Sequence, residues 1–192
     1  MKKVSLLLAL MSTILSYAQS EVQVEVDLGY TFQEEMTLND EILDNKGAFG
    51  VRFGANYLKR ITNKFYAEIG FYGKFNTGKK KIENLTFSSY SLKVQLPLYA
   101  GYKINDTWGI SLGVSIENNK DFNKIDFTTE DNIRFDLLTK LVYRYNTKIQ
   151  FLFYTNWMLN STYDAYTISS PKNGVYFGVI YQLWDSKKTK DQ

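Results

Sequence analysis

Charged side chains of both signs recur at alternate positions in several stretches of this 192-residue sequence. The residues between them are mainly apolar, so the charges share one side of the chain wherever it is extended. Mixed charges gathered in a narrow interior of low dielectric constant form ion pairs, because an unpaired charge there is costly. We therefore expect an ion-pair network that either fixes the structure or lines a narrow ion path. Its candidate members are Glu25, Asp27, Arg52, Glu68, Lys74, Lys93, Glu117, Arg134, Asp136, Lys140 and Arg144.

Histidine and cysteine are both absent from the sequence, which limits the catalytic chemistry available to it. Histidine is the commonest general base for activating a serine or a water molecule. A carboxylate pair such as Asp126 and Glu130 can act as a base in principle, but acidic residues in a polar loop are usually just solvated. No EF-hand spacing is present, so no metal site is predicted. We expect a protein that is not an enzyme and that needs no cofactor.

The stretch Tyr90–Lys103 shows most clearly which elements would position these charges. Its even-numbered residues are all apolar or aromatic, and most of its odd-numbered residues are polar. Successive side chains of a strand point to opposite faces, so this stretch is a strand with one apolar face. The apolar face carries an aromatic residue at each end, which is typical of a strand that crosses a bilayer at a tilt.

The same alternation predicts eight strands, and no charged residue lies on the apolar face of any of them. The predicted strands are Glu21–Phe32, Ala48–Leu58, Phe65–Phe75, Tyr90–Lys103, Trp108–Glu117, Asn132–Tyr145, Ile149–Leu159 and Gly174–Trp184.

The connections between these strands alternate strictly between long and short. Long polar loops are predicted at 33–46, 76–89, 118–131 and 160–173, and short turns at 59–64, 104–107 and 146–148. Antiparallel strands joined in this way place all long loops at one end of the molecule, with both termini and all short turns at the other. The predicted fold class is therefore all-β: an eight-stranded antiparallel up-and-down transmembrane β-barrel. The run Lys79-Lys80-Lys81 in the second long loop suits contact with lipid phosphates or a partner.

The first eighteen residues have the features of a secretory signal peptide. A basic start, Met1-Lys2-Lys3, precedes the apolar run Val4–Leu15 and the small-x-small cleavage site Ser16-Tyr17-Ala18. We predict a signal peptide at 1–18, the barrel at 19–184 and a charged periplasmic tail at 185–192. Removal of Lys2 and Lys3 with the signal peptide takes the formal net charge from +3 to +1, so there is no basic field of the kind that binds nucleic acid.

Alternation alone does not say which face of the barrel points outward. In a soluble, secreted lipocalin-like barrel the apolar face would line a ligand cavity and the charges would meet solvent. The signal peptide, the loop asymmetry and the aromatic residues at strand ends favour an apolar face turned to lipid. Two aromatic belts are predicted: Trp108, Tyr57, Tyr102, Tyr143, Tyr145 and Tyr181 near the short turns, and Tyr30, Phe32, Phe49, Phe75, Tyr90 and Trp157 near the long loops.

Pro97 lies inside a predicted strand, where proline cannot donate a ladder hydrogen bond. A closed barrel has no free edge on which to place it. We therefore expect a bulge or a locally open ladder at this residue.

The segment Leu96–Lys103, followed by a short turn and by Trp108–Gly113, resembles the small outer-membrane β-barrel family that includes OmpA-type and OmpX-type barrels. The resemblance extends over the whole chain after the predicted signal peptide. It implies a place in the bacterial outer membrane, contact with membrane lipid and lipopolysaccharide, and insertion by the barrel-assembly machinery. The segment Tyr176–Leu183 is similar to the C-terminal signal that this machinery reads; it departs from the pattern because charged residues follow it. The residues that carry this likeness are Tyr176, Gly178, Tyr181 and Leu183.

Three functions are compatible with the sequence. The first is a non-enzymatic barrel with a structural or surface-interaction role in the cell envelope, in which the charges form a polar plug. The plug is favoured because eight strands enclose only enough space for side chains. The second is transport of a small solute or hydrophobic molecule, through the lumen or through a lateral gap beside Pro97. The third is the soluble ligand-binding barrel.

Overall fold

The computed structural model describes residues 19–32, 36–38, 41–43, 47–82, 85–121, 132–159 and 173–186. The predicted signal peptide, most of the predicted tail and the pair Asp126 and Glu130 lie outside these ranges. No helix within them is long and apolar enough to cross a membrane. They contain ten strands: β1 (Ser20–Phe32), β2 (Met36–Leu38), β3 (Glu41–Leu43), β4 (Ala48–Arg60), β5 (Phe65–Ile82), β6 (Leu85–Lys103), β7 (Trp108–Asp121), β8 (Asn132–Arg144), β9 (Ile149–Met158) and β10 (Asn173–Asp185).

Eight of these strands form a closed barrel in the order β1-β10-β9-β8-β7-β6-β5-β4. Every neighbouring pair is antiparallel, and β1 closes the barrel by pairing with β4 on one side and β10 on the other. Val26, for example, lies opposite Phe53 of β4 and Val179 of β10. The predicted fold class and strand number are confirmed.

Side chains alternate between the outside and the inside of this barrel, except where a bulge between Val22 and Gln23 shifts the register of β1 against β10. Leu28 and Phe49 on the outer face are 64% and 71% exposed, whereas Arg52 on the inner face is fully buried. The outer apolar positions of β6 run from Leu92 to Tyr102, which at the usual strand rise and tilt is a band about 25 Å tall. A band of this height matches the hydrocarbon layer of a membrane. The soluble lipocalin-like alternative is therefore wrong, because it requires the apolar face inside.

Aromatic side chains pair with one another at both ends of the apolar band. Trp108 lies opposite Tyr143 with ring centroids 4.9 Å apart, at the end that carries the short turns. Tyr30 and Phe49 make an edge-to-face contact at 5.2 Å near the other end. Amphipathic rings at these heights suit the headgroup region of a bilayer.

Each of the three short turns is stabilised by a side chain that accepts two backbone hydrogen bonds. Asn105 Oδ1 accepts from the backbone N–H groups of Thr107 and Trp108, and Asn146 Oδ1 accepts from the two equivalent groups of its own turn. In the first turn this role belongs to Thr62.

The prediction of a long loop at 76–89 is wrong. β5 continues to Ile82 and β6 begins at Leu85, so the two strands pair far beyond the apolar band. The segment is polar because it stands outside the membrane, and its backbone pairing needs no alternation of apolar side chains. Two further predicted loops also contain strand: β2 and β3 form a small hairpin within 33–46, and β7 runs on to Asp121.

The ladder between β5 and β6 is open where Pro97 lies. Ile69 pairs with Leu98 and Tyr72 with Gln95, but the two pairs between them are missing. The ladder between β6 and β7 continues unbroken through Pro97 and Ser115, so the missing N–H is one that would face β5. The expectation of a locally open ladder is confirmed, and no register shift accompanies it.

Candidate functional site

The candidate site is the interior of the barrel, into which all eleven charged side chains of the predicted network project. Ten of them are buried, and Arg144 is half-buried near the short turns. Alternation explains this placement: each occupies an inward position of β1 or of β4–β8.

Arg52 forms the central contact of the interior. Its Nε donates to Asp27 Oδ2 at 2.5 Å, and its Nη2 donates to Glu25 Oε1. The guanidinium carbon also lies 4.2 Å from the ring centre of Tyr72 and 3.9 Å from that of Tyr154, which are on opposite strands of the barrel. One cation thus pairs with two carboxylates and packs between two aromatic rings.

Lys140 connects β8 to two strands on the other side of the lumen. Its Nζ donates to Glu68 and, at 3.4 Å, to Glu25 Oε2. The same ammonium lies 4.6 Å from the ring centre of Tyr99. These contacts join five charged residues, three acidic and two basic, into one group.

A second group lies nearer the long-loop end and contains three basic and two acidic residues. Glu117 lies 3.5 Å from Lys74 Nζ and 3.3 Å from Lys93 Nζ. Arg134 Nε donates to Asp136 Oδ1 at 2.5 Å. The two groups carry opposite formal net charges, so the charges of the ten buried residues cancel.

The interior also contains an apolar cluster that the sequence analysis missed. Three consecutive strands, β8 to β10, carry aliphatic residues at inward positions near the short turns. The alternation of the strands predicts that these positions face inward. Because the inner face was expected to be polar, aliphatic residues were not expected there. They are Leu138, Val142, Leu152 and Ile180, which cluster with Tyr99, Tyr154 and Tyr176.

The described residues offer no cluster of three or more histidine, cysteine, aspartate or glutamate side chains arranged for a metal ion. Glu25, Asp27 and Glu68 come nearest in type, but each is already bound by Arg52 or Lys140. Their oxygens act as acceptors for these cations.

The residues of the predicted assembly signal do not share one face of β10. Tyr176 is buried in the lumen, whereas Tyr181 and Leu183 face outward. Gly178 lies directly against Asp27 and the carbonyl of Val26, and any side chain at this position would displace them. Gly178 therefore has a packing role, and recognition by the assembly machinery stays a prediction.

A closed antiparallel barrel with an apolar outer band and a charged interior defines a transmembrane β-barrel protein. The sequence matches the family described as outer membrane protein beta-barrel domain over residues 4–182. The chain belongs to this family, as the resemblance had implied.

Several solved structures are similar to this chain. De novo designed transmembrane β-barrels share 13% identity, with 85% of this chain and 95% of that chain covered, at a TM-score of 0.47. Ail of Yersinia pestis, in complex with the heparin analogue sucrose octasulfate, shares 14% identity with this chain. The match covers 86% of this chain and 97% of that chain, at a TM-score of 0.44. OprG of Pseudomonas aeruginosa shares 11% identity, with 85% of this chain and 92% of that chain covered, at a TM-score of 0.46. No curated protein matches the sequence. At these identities and scores, no function is transferred from them.

Proposed function

We propose that this protein is a non-enzymatic outer-membrane barrel with a structural or surface-interaction role. The observation that supports the proposal is the filled interior, in which two ion-pair groups, four tyrosines and an aliphatic cluster occupy the lumen. Buried and mutually paired charges hold the register of the strands, and they leave little space for a column of water.

The surface role is supported by the long hairpin of β5 and β6. Among the described residues, β4 pairs with β5 up to Thr77, and β7 pairs with β6 from Ser91 onward. Beyond these points the two strands pair with each other as far as Ile82 and Leu85. Within the described part of the chain, the hairpin projects past the ladders of its neighbours, and strand edges of this kind are where a partner or lipopolysaccharide can add.

Planar-bilayer recording tests the structural role against transport. We expect no stepwise conductance from the folded protein under salt and voltage at which a known open porin conducts. The sample must first show a band that shifts on boiling, which certifies a folded barrel. Reproducible unitary steps from such a sample would contradict the proposal.

A second candidate function is lateral passage of a hydrophobic molecule, which the open ladder beside Pro97 favours. Phe71 and Leu96, which face outward, would form one of the two missing pairs. Because the chain has no cysteine, a Phe71→Cys, Leu96→Cys variant provides a single possible crosslink. Lateral passage predicts that cellular uptake of the dye N-phenylnaphthylamine falls on crosslinking and recovers on reduction. The structural role predicts the same uptake in both states.

A further inference from the structure

A cavity opens at the short-turn end of the barrel, on the side away from the projecting hairpin. It holds about 580 Å³ of empty space, including its opening to solvent. Leu58, Val142 and Ile180 line it and are themselves buried, so it has an apolar floor. Phe65 and Trp108 add aromatic surface near the rim.

Two hydrogen-bond donors lie side by side in this cavity. Arg144 and Gln150 are directly opposite each other in the ladder between β8 and β9, and both line the cavity. Directly opposite side chains have Cβ atoms about 5 Å apart. Gln150 is only 5% exposed, and its Nε2 has no hydrogen-bond partner among the described residues. A buried amide donor without a partner calls for an acceptor, because leaving it unpaired is costly.

The acidic residues around the cavity are already neutralised. Glu21 accepts from Arg60, and Asp106 lies 2.5 Å from Lys103 Nζ. Glu68 accepts from Lys140 inside the lumen. The hydrogen bond from Lys103 also lowers the pKa of Asp106, so this carboxylate stays charged and paired. Repulsion of an incoming anion is therefore small, and Arg144 provides the attraction.

We propose that this cavity binds a small organic carboxylate with an apolar body. The carboxylate accepts hydrogen bonds from the guanidinium of Arg144 and from Nε2 of Gln150, and the apolar body packs on Leu58, Val142 and Ile180. Arginine suits a carboxylate because its planar fork bonds two oxygens at once. Because side chains fill the lumen beyond the apolar floor, a ligand would enter and leave this cavity through the same opening.

Nuclear magnetic resonance of the folded protein in lipid nanodiscs, labelled with ¹⁵N in its glutamine side chains, tests the site. The probes are hexanoate and its neutral analogue hexanamide, which has the same chain length. We expect hexanoate to shift the Gln150 side-chain resonance saturably, and hexanamide to leave it unshifted. Arg144→Gln should weaken the hexanoate response at least about tenfold, the loss expected for a hydrogen bond to a charged group. Lys148→Gln, on the neighbouring turn but not in the cavity, is the matched control and should respond as the original protein does.

An equal response to hexanamide would overturn the proposal, since it would mean that the apolar chain alone drives binding. An unchanged hexanoate affinity in Arg144→Gln would overturn it as well. If Arg144→Gln does not fold, Gln150→Leu serves as the second variant, with the indole N–H of Trp108 as reporter. Weakened binding in that variant supports the site, and unchanged binding contradicts it.

Discussion

Arg52 bonds both Glu25 and Asp27 in the described lumen and packs between two tyrosine rings. Its value to the fold depends on this neutralisation rather than on the strength of any one bond. Without Arg52, Asp27 loses its cation and Glu25 keeps only Lys140, at 3.4 Å, and a buried carboxylate that has lost its cation is strongly destabilising.

Arg52→Met should therefore lower the free energy of unfolding by about 3–5 kcal/mol, the usual cost of breaking a buried ion pair. The measurement is a urea titration in lipid vesicles, followed by tryptophan fluorescence. Lys148→Met, an exposed turn position, is the control and should change stability by less than about 0.5 kcal/mol.

The triple variant Arg52→Met, Glu25→Gln, Asp27→Asn should recover part of the loss, because it removes the unpaired charges together with the cation. A loss below about 1 kcal/mol in the single variant would show that Arg52 does not organise the interior.

On the outer face the cost of a charge depends on its depth. Val114 lies near the middle of β7 and is 50% exposed, whereas Asn118, also exposed, lies four residues nearer the long-loop end. Val114→Arg should destabilise the barrel by about 2–4 kcal/mol, and Asn118→Arg by about 0–1 kcal/mol. Vesicle refolding equilibria measure both. Equal costs at the two depths would contradict the placement of the apolar band.

At the scale of the strands, the open ladder at Pro97 has a direct cause in the missing N–H. Pro97→Ala restores this donor on the side that faces Gly70 of β5. We expect the new backbone amide to exchange slowly with solvent, and the amide of Gly70 to exchange more slowly in the variant than in the original protein. Hydrogen exchange in nanodiscs measures both, with Ser115 on the unbroken side as the reference. Rapid exchange of the new amide would mean that the strands are held apart by something other than proline.

Much of this fold is readable from the sequence because the membrane imposes one simple rule on each strand. Tyr90–Lys103 illustrates it: lipid requires an apolar residue at every second position, and the period of two follows. Beyond the membrane the rule no longer applies, so the extension of β5 to Ile82 left no apolar pattern to detect.

The interior was predictable in part for a related reason. Parity alone placed Glu25 and Arg52 on the same inner face, but which strands lie across the lumen depends on register and closure. The contact of Lys140 with Glu68 joins strands far apart in the sequence and follows only from the closed barrel. The aliphatic residues Val142 and Ile180 were missed because the inner face was treated as wholly polar.

For the whole molecule, the fold makes a prediction about orientation in the cell envelope. The hairpin of β5 and β6 should face outward, and the short turns should face the periplasm. Because cysteine is absent, Lys80→Cys and Lys148→Cys each create a single reactive thiol. A membrane-impermeant maleimide applied to intact cells should label Lys80→Cys and should label Lys148→Cys only after lysis. Labelling of Lys148→Cys in intact cells, and of Lys80→Cys only after lysis, would mean that the barrel has the opposite orientation.

The seam between β1 and β10 has a consequence for how the chain is ordered. Ser186 N donates to Ser20 O at 3.0 Å, and Ser20 N donates to Ser186 Oγ at 2.9 Å. The two ends of the described barrel are therefore in contact, so a short linker can join them. New termini can then be opened at the turn of residues 104–107 without losing any strand pair. Such a circular permutant keeps the barrel's geometry but moves β10 to the middle of the chain. It thereby separates the part that Tyr181 and Leu183 play in the barrel wall from the terminal assembly signal that the sequence predicts for them.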